Sequence, residues 1–270
     1  MAAMTRCLRL AVVMHARGNR HGNDAGSIGH AAWDDVAVTN EQRSVGAGGP
    51  HTPGEMIMAT YLAERNLPYG YEPFDEGARP DFVARHPVIG KIVLEVYEPE
   101  YRLQRNPDGS FYSGSVRSPG HVVQRGINSD QKRRQAKAAR GHGLPFILVI
   151  ASTNSEIAFS EYDVPGALFG ALEFVWSDDS DTGSNDPGRL VFGSAGRLQR
   201  KLNTSFSAVA LITAIAVKDH THRLEIFHNP FAALPVPPEF AGPYDDQWAS
   251  VDAGKSYQKI VRSMTEYASM

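Results

Sequence analysis

Apolar positions recur along this chain at two spacings, and the spacing sets apart the elements it predicts. Met58, Ala59, Leu62 and Ala63 fall three and four residues apart, the stripe expected on one side of a helix. Thr52-Pro53-Gly54-Glu55 supplies its start, with Thr as N-cap, Pro at the first helical position and Glu three residues after the cap. Denser apolar runs bounded by turn residues predict strands at 81–84, 89–97, 146–150 and 205–217. A segment at 224–228 reads as the hairpin partner of the last. Between them, 130–140 predicts a helix rich in Lys and Arg, and 163–176 predicts a short helix followed by a strand.

The remaining segments lack a sustained period. Residues 15–50 are rich in Gly, Asn, Asp, Ser and His and read as a loose arm, with one short strand at 8–14. Residues 66–77 are turn-rich. Pro, Gly, Ser and Asn crowd 98–128, which predicts a long excursion of the size that serves as a lid or binding loop. An acidic Gly/Ser-rich loop at 177–188 separates the two halves. Beyond Pro235 the chain is Pro-rich, and 256–267 predicts a terminal helix. No internal repeat is present. The expected division is a loosely ordered arm at 1–50, an α/β domain at 51–240 and a tail at 241–270.

Composition narrows the class. The chain has 270 residues, enough for one large domain or two small ones. Hydrophobic residues make up 42% and charged residues 21%, as in soluble globular proteins. A net charge of −3 means that any nucleic-acid surface is a local patch and not a global field. Cys7 is the only cysteine, which excludes internal disulfides and Cys-based zinc sites and suits a reducing compartment. The apolar run at 8–14 is short, and no small-residue cleavage pattern follows it. No run reaches the roughly eighteen apolar residues that span a bilayer. A cytoplasmic protein without a membrane partner is expected.

The candidate chemistry lies in three acids and a basic helix. Glu55 opens the first predicted helix, Asp81 begins a strand, and Glu95 stands between Val93-Leu94 and Val96. An unpartnered carboxylate in such a buried strand is unfavourable. Carboxylates at adjacent strand ends can converge on a hard cation such as Mg²⁺ or Mn²⁺. Lys and Arg beside them suit a phosphodiester.

On the basic helix, Lys132 shares a face with Gln135, Ala136 and Ala139, whose small side chains mark the side turned to the sheet. Arg133, Arg134, Lys137 and Arg140 fall largely on the other faces and, with Arg125, are candidates for phosphate contact. Simpler readings exist for each group. Glu55 stands where a capping-box glutamate belongs, and a basic helix face is ordinarily a solvated one. His220, His222 and His228-Asn229 lack the helical second half of a ββα-metal site. No nucleophile elbow or phosphate-binding Gly-rich loop appears.

Helix, strand, strand, helix, strand, with Glu55, then Pro80-Asp81, then Glu95-Val96-Tyr97 fourteen positions later, resembles the PD-(D/E)xK nuclease superfamily over about residues 52–152. The resemblance implies an α/β, restriction-endonuclease-like core, a mixed β-sheet flanked by helices, here with additional C-terminal strands. It implies Glu55, Asp81 and Glu95 as ligands of one or two divalent cations. The family's lysine two residues after the second acid is replaced here by Tyr97. Such superfamilies move the lysine to the neighbouring helix, which makes Lys132 the candidate beside Asp81 and Glu95 for the catalytic set.

The implied function is Mg²⁺- or Mn²⁺-dependent hydrolysis of DNA. The second half would supply further strands and a homodimer or substrate surface. The alternative is a catalytically inactive member of the fold that binds nucleic acid or a protein partner. A Lys132 amine within about 4–6 Å of the Asp81 and Glu95 carboxylates favours the nuclease. A plain scaffold would instead pair Glu95 with an arginine.

Overall fold

The first helix forms where its capping residues place it. In the computed structural model, α1 spans Pro53–Glu64. The Thr52 hydroxyl accepts from the Glu55 amide at 3.2 Å, and Glu55 Oε2 accepts from the Thr52 amide at 3.2 Å. Both bonds of the capping box are thus made, satisfying amides that have no partner inside the helix. Met58, Tyr61 and Leu62 are buried from this helix.

The structure describes residues 49–72, 79–99, 119–151, 153, 159, 163–170, 172–175, 189–192, 196–217, 220–250 and 257–260, all within the unit formed by 37–270. The arm expected over 1–50, apart from its last two residues, and the loop at 177–188 lie outside these residues. So does the 100–118 part of the expected excursion.

Ten strands are present among the described residues: β1 (Tyr69–Tyr71), β2 (Phe82–His86), β3 (Gly90–Tyr97), β4 (Phe146–Ala151), β5 (Leu172–Val175), β6 (Arg189–Phe192), β7 (Ala208–Val217), β8 (His220–His228), β9 (Asp246–Ser250) and β10 (Tyr257–Ile260). Eight form one mixed sheet in the order β1-β2-β3-β4-β7-β8-β9-β10, and β5 pairs with β6 separately. β1, β2 and β3 run antiparallel, β4 lies parallel to β3, and β7 lies parallel to β4.

Three further helices, α2 (Pro119–Asn128), α3 (Asp130–Gly141) and α4 (Asp163–Phe169), complete the described elements apart from a 3-10 turn at Pro238–Phe240. The protein is therefore α/β, a mixed sheet flanked by helices. No helix among the described residues is long and apolar enough to cross a membrane.

Period-two alternation divides the core. Ile92, Leu94 and Val96 of β3 join Ile147, Val149 and Ala151 of β4 under α1 and the 236–241 segment. The opposite face carries Val93 and Tyr97 with Phe146, Leu148 and Ile150, beneath α2, α3 and α4. Each face of the central strands is covered, which is why they are apolar nearly throughout. Glu95 falls on the α3 face, the one ionisable residue among the buried positions of β3.

Two expectations are corrected. The excursion placed over 98–128 contains α2 in its last ten residues. Pro119, Gly120, Gly126 and Asn128 give this segment poor intrinsic helicity, and packing supplies what propensity lacks. Val122, Val123 and Ile127 are buried, and the ring of Tyr97 lies directly over Gly126. The terminal helix placed over 256–267 is, at 257–260, the edge strand β10, antiparallel to β9. Ladder bonds to β9 and the Lys259–Asp246 ion pair at 2.7 Å outweigh its weak helical pattern. The sheet also gains β1 within the turn-rich 66–77 segment and continues past residue 240 into β9.

Gly126 allows a direct check of this packing. A Cβ there would stand 2.7 Å from Tyr97 Cδ1. Gly126→Ala should lower stability by about 1–2 kcal/mol despite its better helix propensity, because overpacking outweighs the gain. Combined with Tyr97→Leu, the loss should shrink. Thermal melts of the single and double variants check this, and a stabilised Gly126→Ala would contradict the contact.

Candidate functional site

Asp81 and Glu95 come together through strand register. Phe82 pairs with Leu94, so the residues one step outward, Asp81 and Glu95, lie across from each other on the α3 face. Each carboxylate binds a backbone amide of the other strand. Glu95 Oε2 accepts from the Asp81 amide at 3.0 Å, and Asp81 Oδ2 accepts from the Val96 amide at 2.7 Å. These reciprocal bonds hold the two acids side by side where β2 begins and β3 ends.

Lys132 reaches them from α3. Ser129 precedes this helix, and its Gln135, Ala136 and Ala139 are buried against the sheet, as the small-residue face predicted. Lys132 lies one turn before Ala136, so its stem enters beside Gln135. Its Nζ donates to Glu95 Oε1 and, at 3.1 Å, to the carbonyl of Val96. The Lys132 side chain is 14% exposed and that of Glu95 1%. The cation paired with Glu95 is therefore the lysine, not an arginine. Gln135 Nε2 donates to the Arg79 carbonyl and helps hold the chain leading into Asp81.

The charge balance of this cluster is uneven, with two carboxylates facing one ammonium. Burial pushes Asp81 up to about 8, and the negative charge of Glu95 adds to the rise. Lys132 and the Val96 amide only partly oppose it. Burial also pushes Glu95 upward, against the contact with Lys132 and the Asp81 amide. With two carboxylates against one ammonium, the pair as a whole resists losing its last proton near neutrality.

Tyr97 does not enter the cluster. Its ring fills the space over Gly126, so the side chain two positions after Glu95 is an apolar wedge between β3 and α2. Glu55 stands apart on α1. Its Oε2 accepts from the His51 amide at 2.7 Å, the Thr52 amide at 3.2 Å and the Tyr71 hydroxyl at 2.7 Å. These bonds lower its pKa against the desolvation that would raise it. Glu55 still contributes to the rise at Asp81 and so lies within electrostatic range. Among the described residues, no group of three or more His, Cys, Asp or Glu side chains is gathered to hold a metal ion.

The expected phosphate contacts divide into two sets. Arg125 on α2 and Arg134 on α3 are exposed on outward faces. Arg133, Lys137 and Arg140 line one cavity with Lys201 and the turn that follows it. Lys201 was not anticipated, since nothing in the sequence brings the turn before β7 beside α3. The histidines of β8 are engaged elsewhere. His228 Nε2 lies 2.8 Å from Gln247 Oε1, and His220 packs on Tyr244 with ring centroids 4.8 Å apart.

Fold and site together define an α/β protein with a buried Glu95, a half-buried Asp81 beside it and a helix-borne lysine. No family model, no curated protein and no solved structure matches the chain.

Proposed function

We propose that this protein is a divalent-metal-dependent nuclease with a restriction-endonuclease-like core of the PD-(D/E)xK type, hydrolysing phosphodiester bonds in DNA. The observation that carries the reading is the reach of Lys132 from α3 to Glu95, beside Asp81. That contact supplies a cation where the sequence has Tyr97 in the usual lysine position. Further support comes from topology, with α1, three antiparallel strands, α2, the basic helix α3 and a strand parallel to the third in chain order.

The residues fit a hard cation such as Mg²⁺ or Mn²⁺. Asp81, Glu95 and the Val96 carbonyl present oxygen atoms at one place, and Asp81 has no ion pair of its own among the described residues. Asp81 and Glu95 would hold the metal, with Glu55 nearby on α1. A metal bound there supplies an acidified water and offsets charge on the departing oxygen. Lys132, on a flexible stem, contributes positive charge to a non-bridging phosphate oxygen as charge builds there. Burial of Glu95, with Asp81 half-buried beside it, strengthens each of these contacts.

The test is cleavage of plasmid and single-stranded DNA with Mg²⁺ or Mn²⁺. Asp81→Asn and Glu95→Gln should each reduce metal-dependent cutting at least about 10²–10³-fold. Cutting that survives Asp81→Asn would sink the assignment. A second reading is a catalytically silent protein of this fold that binds nucleic acid or a protein partner. It is favoured by Tyr97 and by Lys132 already neutralising Glu95. Intact metal and DNA binding with no cutting by the wild type would select it.

A further inference from the structure

The cavity between α3 and the 201–206 turn is separate from the acid pair. It encloses about 590 Å³, and Arg133, Lys137, Arg140, Lys201, Asn203 and Thr204 are among its lining. That volume falls within the range of ligand sites. Among the described residues, no carboxylate lines it. Arg133, Lys137 and Arg140 follow one another at i, i+4 and i+7, so they share a stripe on α3. Lys201 arrives from across the cavity, on the turn that leads into β7 through Ser207, whose amide donates to the Phe146 carbonyl at 2.8 Å.

These cations are poorly compensated. Neither Lys137 nor Lys201 has an ion pair among the described residues. Among the described residues, Arg140 Nη1 meets the Thr204 hydroxyl alone, at 3.5 Å. Arg133 is held by Asn128 Oδ1 at 2.9 Å and lies 3.9 Å from the exposed Asp130 carboxylate, while its Nε is buried with no hydrogen-bond partner among the described residues. Four cations gathered around one concave surface repel one another unless an anion sits between them. The side-chain amide and hydroxyl groups of Asn203 and Thr204 add neutral polar contacts of the sort that bind phosphate oxygens.

The stripe also has a direction. α3 begins beside Glu95 and ends beside the start of β4. From Arg133 to Arg140 the helix advances about 10 Å. A stripe of that length reaches more than one phosphate of a nucleic-acid strand.

We propose that this cavity is a nucleic-acid backbone site, in which Arg133, Lys137, Arg140 and Lys201 hold successive phosphates of a strand that continues toward Lys132 and the acid pair. The continuation toward the acids rests on the nuclease reading; the phosphate site rests on the cavity alone. Arg125 and Arg134, on other faces, are not part of it.

The test is fluorescence anisotropy of the full chain in EDTA, with a short fluorescein-labelled single strand and a duplex of about two helical turns, across a NaCl series. Lys137→Glu/Lys201→Glu should weaken binding at least tenfold. Lys137→Ala/Lys201→Ala should reduce the slope of log affinity against log salt by about two, one per lost phosphate contact. Lys137→Arg/Lys201→Arg should bind within about twofold of wild type. Thermal melts matching wild type show that each variant is folded.

Binding unchanged by charge reversal, or no binding of either probe by the wild type, overturns the proposal. Tripolyphosphate or ATP binding more tightly than either oligonucleotide also overturns it, because the occupant is then a small polyphosphate. DNA cutting with binding insensitive to charge reversal removes this site and leaves the nuclease. Cavity-dependent binding by a chain that cuts nothing does the reverse.

Discussion

Lys132→Met should destabilise the protein by about 3–5 kcal/mol, the loss expected when one partner of a buried ion pair is removed. Glu95 keeps its place on the α3 face after the substitution, with its side chain 1% exposed and its cation gone. Burial already pushes its pKa upward, and the loss of Lys132 removes the largest opposing influence. The carboxyl must then take up a proton or remain charged in an apolar layer, and both outcomes weaken folding at neutral pH.

For a unit of this size the loss corresponds to roughly 6–20 °C in Tm, at about 2–4 °C per kcal/mol. Lys132→Met/Glu95→Gln should recover most of it, because the amide removes the buried charge and still accepts from the Asp81 amide. Calorimetric melts of the wild type, both single variants and the double variant give the coupling energy directly. A single Lys132→Met variant melting within a degree of wild type would show that the pair is not formed.

Asp81→Asn should do the opposite to stability. The folded chain holds Asp81 at about 8, pushed up by burial and by Glu95. Its ordinary value is 3.8. Between those values the folded protein carries a proton that the unfolded chain has released, so the Asp81 contribution to stability declines as pH rises from about 4 to about 8 and is level above that. Asparagine cannot ionise, yet its carbonyl oxygen still accepts from the Val96 amide.

The variant should therefore match wild type below pH 4 and exceed it by on the order of 2–4 kcal/mol at pH 9. Denaturant melts at pH 4, 6, 8 and 9 on both proteins measure the difference. A difference that does not grow with pH would mean that Asp81 is not held protonated. A gain in stability on neutralising Asp81 is what two carboxylates facing one ammonium should yield.

Much of the local structure was legible in the residues. Thr52 and Glu55 announced α1 and its capping box, since both bonds lie within one turn and need nothing from elsewhere in the chain. The apolar runs at 89–97 and 146–150 became β3 and β4 because both faces of those strands are buried. Lys132 was placed on the inward face of α3 by Ala136 and Ala139, and it reaches Glu95. Glu95 itself stood out as a carboxylate inside an apolar strand.

What escaped the sequence depends on contacts between distant segments. α2 was hidden because its glycines and proline suppress helix propensity, and only the packing of Val123, Ile127 and Gly126 onto β3 makes it a helix. β10 was hidden because an edge strand is defined by its neighbour, here β9, more than by its own pattern. Glu55 could be read from sequence as a cap or as a ligand. The Tyr71 hydroxyl, brought over by β1, adds a third bond to the oxygen that caps the helix. Lys201 joins Lys137 around one cavity only because β7 lies beside β4.

The sequence by itself determined the capped helix, the central strands and the inward lysine, because spacing along one element dictates which side chains share a face. Tertiary structure alone decided that Asp81 and Glu95 meet, that burial and Glu95 push Asp81 upward and that four cations face one cavity. Register, burial and charge balance belong to the assembled sheet, and no single segment carries them.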